Sequence, residues 1–259
     1  MAHRIVTLLT DFGTVDGYVA EMKGVIKSLA PDAEIVDATH DIPPQDVTRA
    51  RLTLSRYWRR FPVGTVHVAV VDPGVGTARA ALAVESDGRF LIGPDNGVLS
   101  PAFTIEGSNA VQLDVPGGAS PTFHGRDVFA PAAARIARGD PLDILGRRFR
   151  PSVVMHTPVP RRGFGGAQSG EVIAIDRFGN AITNLESANG NVVAVRGKLV
   201  PTVRTFSEVG VGEPCALVGS AGLLEIAVRD GNAALILGLA VGTPVETDAA
   251  PSYPYLSAE

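Results

Sequence analysis

RIVTLLTDFGTVDGYVAEMKGVIKSLAPDAEIVD (4–37) decides the fold. Residues 4–10 are a β-branched apolar run and read as a strand. Residues 17–30 have helical spacing, with Val19, Met22, Val25, Ile26 and Leu29 on one side. Asp16 stands at the N-cap position of that helix, and 33–37 return to a strand. Working outward, Asp46 opens a second helix over 46–60, and VGTVHVAVVD holds a buried strand at 65–71. ALAVES and RFLIG predict a hairpin across Asp87 and Gly88, and a last helix is expected over 127–138. This βαβα order predicts an N-terminal three-layer α/β domain with a largely parallel sheet.

The pattern changes after about residue 150. PVPRRGFGGAQSG (158–170) is rich in Gly and Pro and reads as a linker. Beyond it, GEVIAID, NAITNL, VVAV, TVRTF, CALVG, LLEIAV and AALIL read as short strands separated by turns. The expectation is an α/β domain over 1–157, a linker over 158–170, and a smaller all-β, barrel-like domain over 171–259. The tail TDAAPSYPYLSAE (247–259) is expected to be loosely held.

Composition narrows the function classes. With 45% hydrophobic and 19% charged residues and a net charge of −4, the chain has an ordinary soluble balance. The basic clusters are short (Arg59-Arg60, Arg147-Arg148, Arg161-Arg162), which argues against a nucleic-acid partner. No apolar stretch approaches the roughly 18–20 residues that span a bilayer, and MAHRIVTLLTDFG lacks the pattern of a signal peptide. A lone cysteine, Cys215 in EPCALVG, forms no internal disulfide and suits a reducing compartment. A cytoplasmic enzyme without membrane contact is expected.

Three polar residues stand out: Asp72 and Arg79 in VVDPGVGTAR, and His124 in TFHGRD. Each follows an apolar run or a turn, where a sheet presents loop residues at one edge. Together an acid, a guanidinium and an imidazole can orient and activate a water without a metal. Singly they have local readings: Asp72 as a turn residue in DPG, Arg79 as a charge before a strand, His124 as a hydrogen-bonded loop histidine. Asp11 ends the first strand, where ligands bind in open α/β sheets, and it also reads as a turn aspartate. Asp176, Phe178 and Asn180 in IDRFGNAITNL offer an acid, an aromatic and an amide, or a plain hairpin turn. There is no phosphate loop, no HExxH and no nucleophile elbow, and the scattered histidines and single cysteine argue against zinc.

VVDPGVGTAR and TFHGRD, together with TDFGTVDGYVAEMKG (10–24), IGPDNGVLSP (92–101) and IDRFGNAITNL (175–185), carry a family resemblance over about residues 4–246. The chain resembles the S-adenosylmethionine (SAM) hydrolases that form adenosine, relatives of fluorinase and chlorinase. The resemblance implies that Asp72, Arg79 and His124 hold a water behind the 5′ carbon of SAM. It implies Asp11 on the ribose hydroxyls and Asp16 on the methionine portion. It implies Phe178 and Asn180 on adenine, and Asp176 and Ser220 on methionine. SAM is then substrate, with no separate cofactor, and the partners are adenosine and methionine as products and two further copies in a homotrimer whose sites lie between subunits. The halogenating relatives carry other residue types at Asp72 and His124, and an insertion for which ALAVESDGRFLIGPDNG leaves no room. This chain also has Gln45 where fluorinase has tryptophan, and Ala221 where it has arginine after the serine. The alternatives are an adenosyl halide synthase and a non-catalytic SAM or adenosine sensor.

Overall fold

The computed structural model describes residues 5–187 and 192–248 of the 259. The chain divides into two compact units, Met1–His156 and Thr157–Glu259. The first holds β1 (Ile5–Thr10), α1 (Tyr18–Leu29), β2 (Glu34–Thr39), α2 (Val47–Tyr57), β3 (Val66–Val70), β4 (Ala81–Ser86) and β5 (Arg89–Pro94). Then follow β6 (Asn109–Leu113), α3 (Ala130–Ala137) and β7 (Gly146–Arg148). The strands form one seven-stranded sheet in the order β2-β1-β3-β5-β4-β6-β7.

Side-chain alternation splits the core between the two faces of that sheet. Val6, Leu8, Val66, Val68 and Val70 pack with Met22 and Ile26 of α1 and Phe129 and Ile136 around α3. Leu9, Ala69, Val71, Leu82 and Leu91 pack with Ala50, Leu54 and Trp58 from α2 and the turn after it. Such two-sided burial explains why these strands read as continuous apolar runs.

The sheet is mixed, where a largely parallel one was expected. β2, β1, β3 and β5 run parallel. β4 is antiparallel to β5 and β6, and β6 to β7. The cause is local: Asp87 (φ 49°) and Gly88 (φ 69°) make a two-residue turn, and so short a connection joins only antiparallel strands. β6 and β7 escape a sequence reading because NAVQL and GRR are too short to show a period. As a result the C-terminal ends of β1, β2 and β3 share one edge of the sheet, and the Asp87-Gly88 turn lies at the opposite edge.

Helix starts follow their caps. Asp46 accepts a hydrogen bond from Arg49 N at 2.8 Å and opens α2 as expected. Asp16 does not cap α1: the cap is Gly17 in the left-handed region (φ 80°), with no side-chain bond.

The second unit contains β8 (Arg161–Arg162), β9 (Gln168–Ile175), β10 (Ala181–Thr183), β11 (Val192–Val195), β12 (Lys198–Pro201), β13 (Pro214–Val218) and β14 (Leu224–Val228). A short helix α4 (Ala233–Leu237) precedes β15 (Pro244–Thr247). The order is β12-β11-β15-β9-β10-β14-β13, with β8 on β9. Thr202, just past β12, bridges to Ala216 in β13, and Val203 N donates to Ala216 O at 2.9 Å. The two ends of the sheet thus meet, giving a nearly closed barrel around Val172, Leu185, Val193, Leu224, Ile226 and Val245.

Three local expectations change. Part of the 158–170 segment is sheet, because Arg161 and Arg162 pair with Ser169 and Gln168; its glycines serve a hairpin turn. AALIL is helical: Asn232 accepts from Leu235 N at 2.9 Å, and Gly238 (φ 65°) ends the helix. TVRTF is no strand, since Thr205 and Glu208 form a capping box on a 3-10 turn. The tail beyond Asp248 lies outside the described residues.

Candidate active site

The edge where β1, β2 and β3 end carries a cleft of about 390 Å³, lined by Asp11, Phe12, Gln45, Asp72, His124 and neighbours. That volume suits a small molecule. Asp72 leaves β3 at the start of a tight loop, and Arg79 closes the loop before β4. Arg79 Nε donates to Asp72 Oδ1 at 3.0 Å, and Nη2 donates to Asp72 Oδ2. Both side chains are buried, at 5% and 9% exposure, so each charge depends on the other for compensation. Phe129 lies under the guanidinium, 5.4 Å from ring centroid to Cζ.

His124 comes from a separate loop. Its Nδ1 lies 2.9 Å from Arg79 Nη2. A guanidinium only donates, so Nδ1 accepts and the ring's proton sits on Nε2. Burial, then the Arg79 charge, lower the His124 pKa, against weaker opposition from Asp72 and Asp127. The ring is therefore a neutral Nε2–H donor at neutral pH. The cluster offers a buried cation and an N–H to an oxygen beside it, which favours hydroxide-like charge on that oxygen.

Close approach of the two loops depends on Gly76 (φ 76°), where a β-carbon would run into the Pro121 carbonyl oxygen. His124 enters a π-helical turn, Gly125–Phe129, before α3. Arg126 and Asp127 form a structural pair there. Arg126 Nε and Nη2 meet the two Asp127 oxygens at 2.6 and 2.9 Å, and Nη1 reaches Glu21 of α1 at 2.8 Å. Asp127 also accepts from Ser120 N at 2.8 Å, closing the loop that bears His124.

Asp11 lines the same cleft and accepts from Gln45 N at 2.8 Å. Asp16 is exposed on the turn before α1 and does not line it. Sequence reasoning missed the aromatic wall. Phe12, Tyr18 and Phe123 meet edge to face with centroids 5.3–6.1 Å apart. The available signal was adjacency, since Phe12 follows Asp11 and Phe123 precedes His124.

The remaining expected residues belong to the second unit. Asp176 Oδ1 accepts from Phe178 N and Asn180 N at 2.9 and 2.8 Å, and Oδ2 from Asn180 Nδ2 at 3.0 Å. The aspartate thus shapes the β9–β10 turn, with Gly179 (φ 85°) against the Asn232 side chain. Phe178 is 75% exposed and Asn180 is buried. Ser220 is exposed on the turn between β13 and β14. Among the described residues, no group of three His, Cys, Asp or Glu side chains could hold a metal ion, and no helix is long and apolar enough to cross a membrane.

Fold and cleft first define a class: a two-unit protein with a polar cluster at the strand ends of an open α/β sheet, where small-molecule sites form. More narrowly, the chain belongs to the SAM hydroxide adenosyltransferase family, whose N-terminal domain matches residues 6–146 and C-terminal domain residues 170–246. It is 44% identical to a protein of Thermus thermophilus named (R)-S-adenosyl-L-methionine hydrolase, over 93% of this chain and 98% of that one. A protein of Actinopolyspora mzabensis named fluorinase is more distant, at 30% identity over 93% and 96% of the two chains. The crystal structure of an uncharacterized conserved protein from Thermotoga maritima superposes with a TM-score of 0.86 at 35% identity, covering 93% of this chain and 98% of that one.

Proposed function

We propose that this chain hydrolyses S-adenosyl-L-methionine to adenosine and L-methionine. The oxygen of a water held by Asp72, Arg79 and His124 bonds to C5′ in line with the breaking C5′–S bond. Sulfur leaves with the electron pair as the thioether of methionine, and the water gives up its proton to solvent. The thioether departs without protonation, so a nucleophile and alignment are the main needs; alignment alone can supply about 7–11 kcal/mol. The observation that carries this reading is the buried Asp72–Arg79–His124 cluster on the cleft. Because His124 Nδ1 is occupied by Arg79, the ring acts as a donor to the nucleophile and Arg79 stabilises it as hydroxide.

In the same proposal Asp11 accepts the ribose diol, Asp16 meets the methionine portion, Phe178 and Asn180 meet adenine, and Asp176 and Ser220 meet methionine. The first unit of one chain faces the second unit of its neighbour in a homotrimer. No cofactor besides the substrate is required. The free thiol of buried Cys215 suits a cytoplasmic location.

A mass-spectrometric product assay with SAM in ¹⁸O-labelled water, with and without chloride, tests this. Labelled adenosine and methionine, indifferent to halide, are expected. A halogenated adenosine would move the protein to the synthase branch, and bound SAM without product would make it a sensor.

A further inference from the structure

The Asp11-Gly13 turn is held by a loop that has no part in the chemistry above. Residues 40–46 link β2 to α2 and touch the turn at three places. His40 O accepts from Gly13 N at 2.9 Å. His40 Nδ1 lies 2.8 Å from Thr10 Oγ1, and that hydroxyl accepts from Phe12 N at 3.2 Å. Gln45 N donates to Asp11 Oδ2 at 2.8 Å, from a left-handed backbone (φ 67°) that glutamine seldom adopts.

Thr10 and His40 are buried, so little water competes for these bonds. On its outer side His40 Nε2 lies 3.1 Å from Asp37 Oδ1, and Asp37 Oδ2 is 2.6 Å from Lys23 Nζ. A carboxylate so close favours the proton on Nε2, which makes Nδ1 an acceptor. The Thr10 hydroxyl then donates to the ring and receives the Phe12 amide. The bonds run in one direction, from the turn through Thr10 to His40, with the Asp37 carboxylate as a close charge beyond the ring.

We propose that Thr10 and His40 are positioning residues for substrate recognition. They fix the Asp11-Gly13 turn so that the Asp11 carboxylate, with Oδ2 held by Gln45, presents its remaining lone pairs to a vicinal diol. The inference rests on Asp11 being the ribose-binding group. It concerns binding and not bond breaking, because Asp72, Arg79 and His124 stand on other loops.

Three variants separate the roles: Thr10→Val, His40→Asn and His40→Gln. Asparagine keeps a polar atom near the place of Nδ1, whereas glutamine keeps one near Nε2 and loses Thr10. For each, Tm, kcat and KM with SAM are measured, with inhibition by adenosine and by 2′,3′-dideoxyadenosine. Thr10→Val and His40→Gln should raise KM about 5–20-fold with kcat within about threefold, and shrink the preference for adenosine over its dideoxy analogue by a similar factor. His40→Asn should stay within about threefold of the parent in KM. Lower Tm with unchanged KM and unchanged diol preference in Thr10→Val and His40→Gln would reduce the relay to a structural role and overturn the proposal. A parent protein that hydrolyses SAM but prefers neither nucleoside would instead overturn the reading of Asp11.

Discussion

Arg79 serves two neighbours at once, and this decides how the site responds to substitution and to pH. Its fork holds both Asp72 oxygens and reaches His124 Nδ1. Lysine carries the same charge on a single nitrogen and cannot hold that geometry. Arg79→Lys is expected to keep the fold and lower kcat about 100-fold, read by steady-state kinetics. Burial, then the Arg79 charge, lower the His124 pKa, so its ring is expected to stay neutral on acidification past about 6.5, the ordinary histidine value. An NMR titration of the ring checks this, and a midpoint at or above about 6.5 would contradict it. At this scale much was legible: Asp72, Arg79 and His124 were singled out and the fold brings them together. The Phe12–Tyr18–Phe123 wall was not, because aromatic residues beside apolar runs look like ordinary core.

At the scale of elements, two loops must meet before those side chains can. Gly76 lets them do so, and Gly76→Ala would impose both a left-handed alanine and a clash with Pro121. A stability loss of about 2 kcal/mol or more is expected, with a fall in kcat among folded molecules. Thermal unfolding and single-turnover rates would read the two effects separately. In β3, His67 is fully buried, bonds to Thr7 at 2.8 Å and is ringed by Tyr57, Trp58 and Phe61. Burial, then the charge of Arg89, push its pKa down to about 4. The unfolded chain protonates it near 6.5, so its neutral burial stabilises the fold fully above that value. This contribution drains away as pH falls toward 4. The gap corresponds to about 3 kcal/mol, and in His67→Leu the stability should vary less over that range in urea titrations. Elements with strong periodicity or caps were legible, including β1, α1, α2 and the β4–β5 hairpin. AALIL was misread because five apolar residues carry no period, and only Asn232 and Gly238 mark them as a helix. The 158–170 segment was misread because glycines that make a hairpin look the same in sequence as glycines in a linker.

At the scale of the whole molecule, the proposed contacts divide between two units: Asp11, Asp16, Asp72, Arg79 and His124 in one, Asp176, Phe178, Asn180 and Ser220 in the other. If neighbouring chains complete each other's sites, sedimentation should give three times 27.0 kDa, about 81 kDa. A sharper check mixes two inactive proteins, Asp72→Asn/His124→Ala and Phe178→Ala/Asn180→Ala, after partial dissociation and reassembly. Some mixed trimers then hold a site with all its residues intact, and activity should return; sites made within one chain would stay dead. The two-unit plan was legible from the change of pattern near residue 150. The mixed character of the first sheet was not, because pairing direction at β6 and β7 leaves no mark in strands of five and three residues.

The edge of the first sheet that holds the Asp87-Gly88 turn has a practical use. Strands β4 and β5 separate it from the loops that carry the polar cluster, and the lone native thiol, Cys215, is buried. A single cysteine grafted into that turn would be the one readily labelled handle on the protein. Through it the molecule could be tethered to a bead or an electrode, or given a dye, with its catalytic mouth turned away from the support.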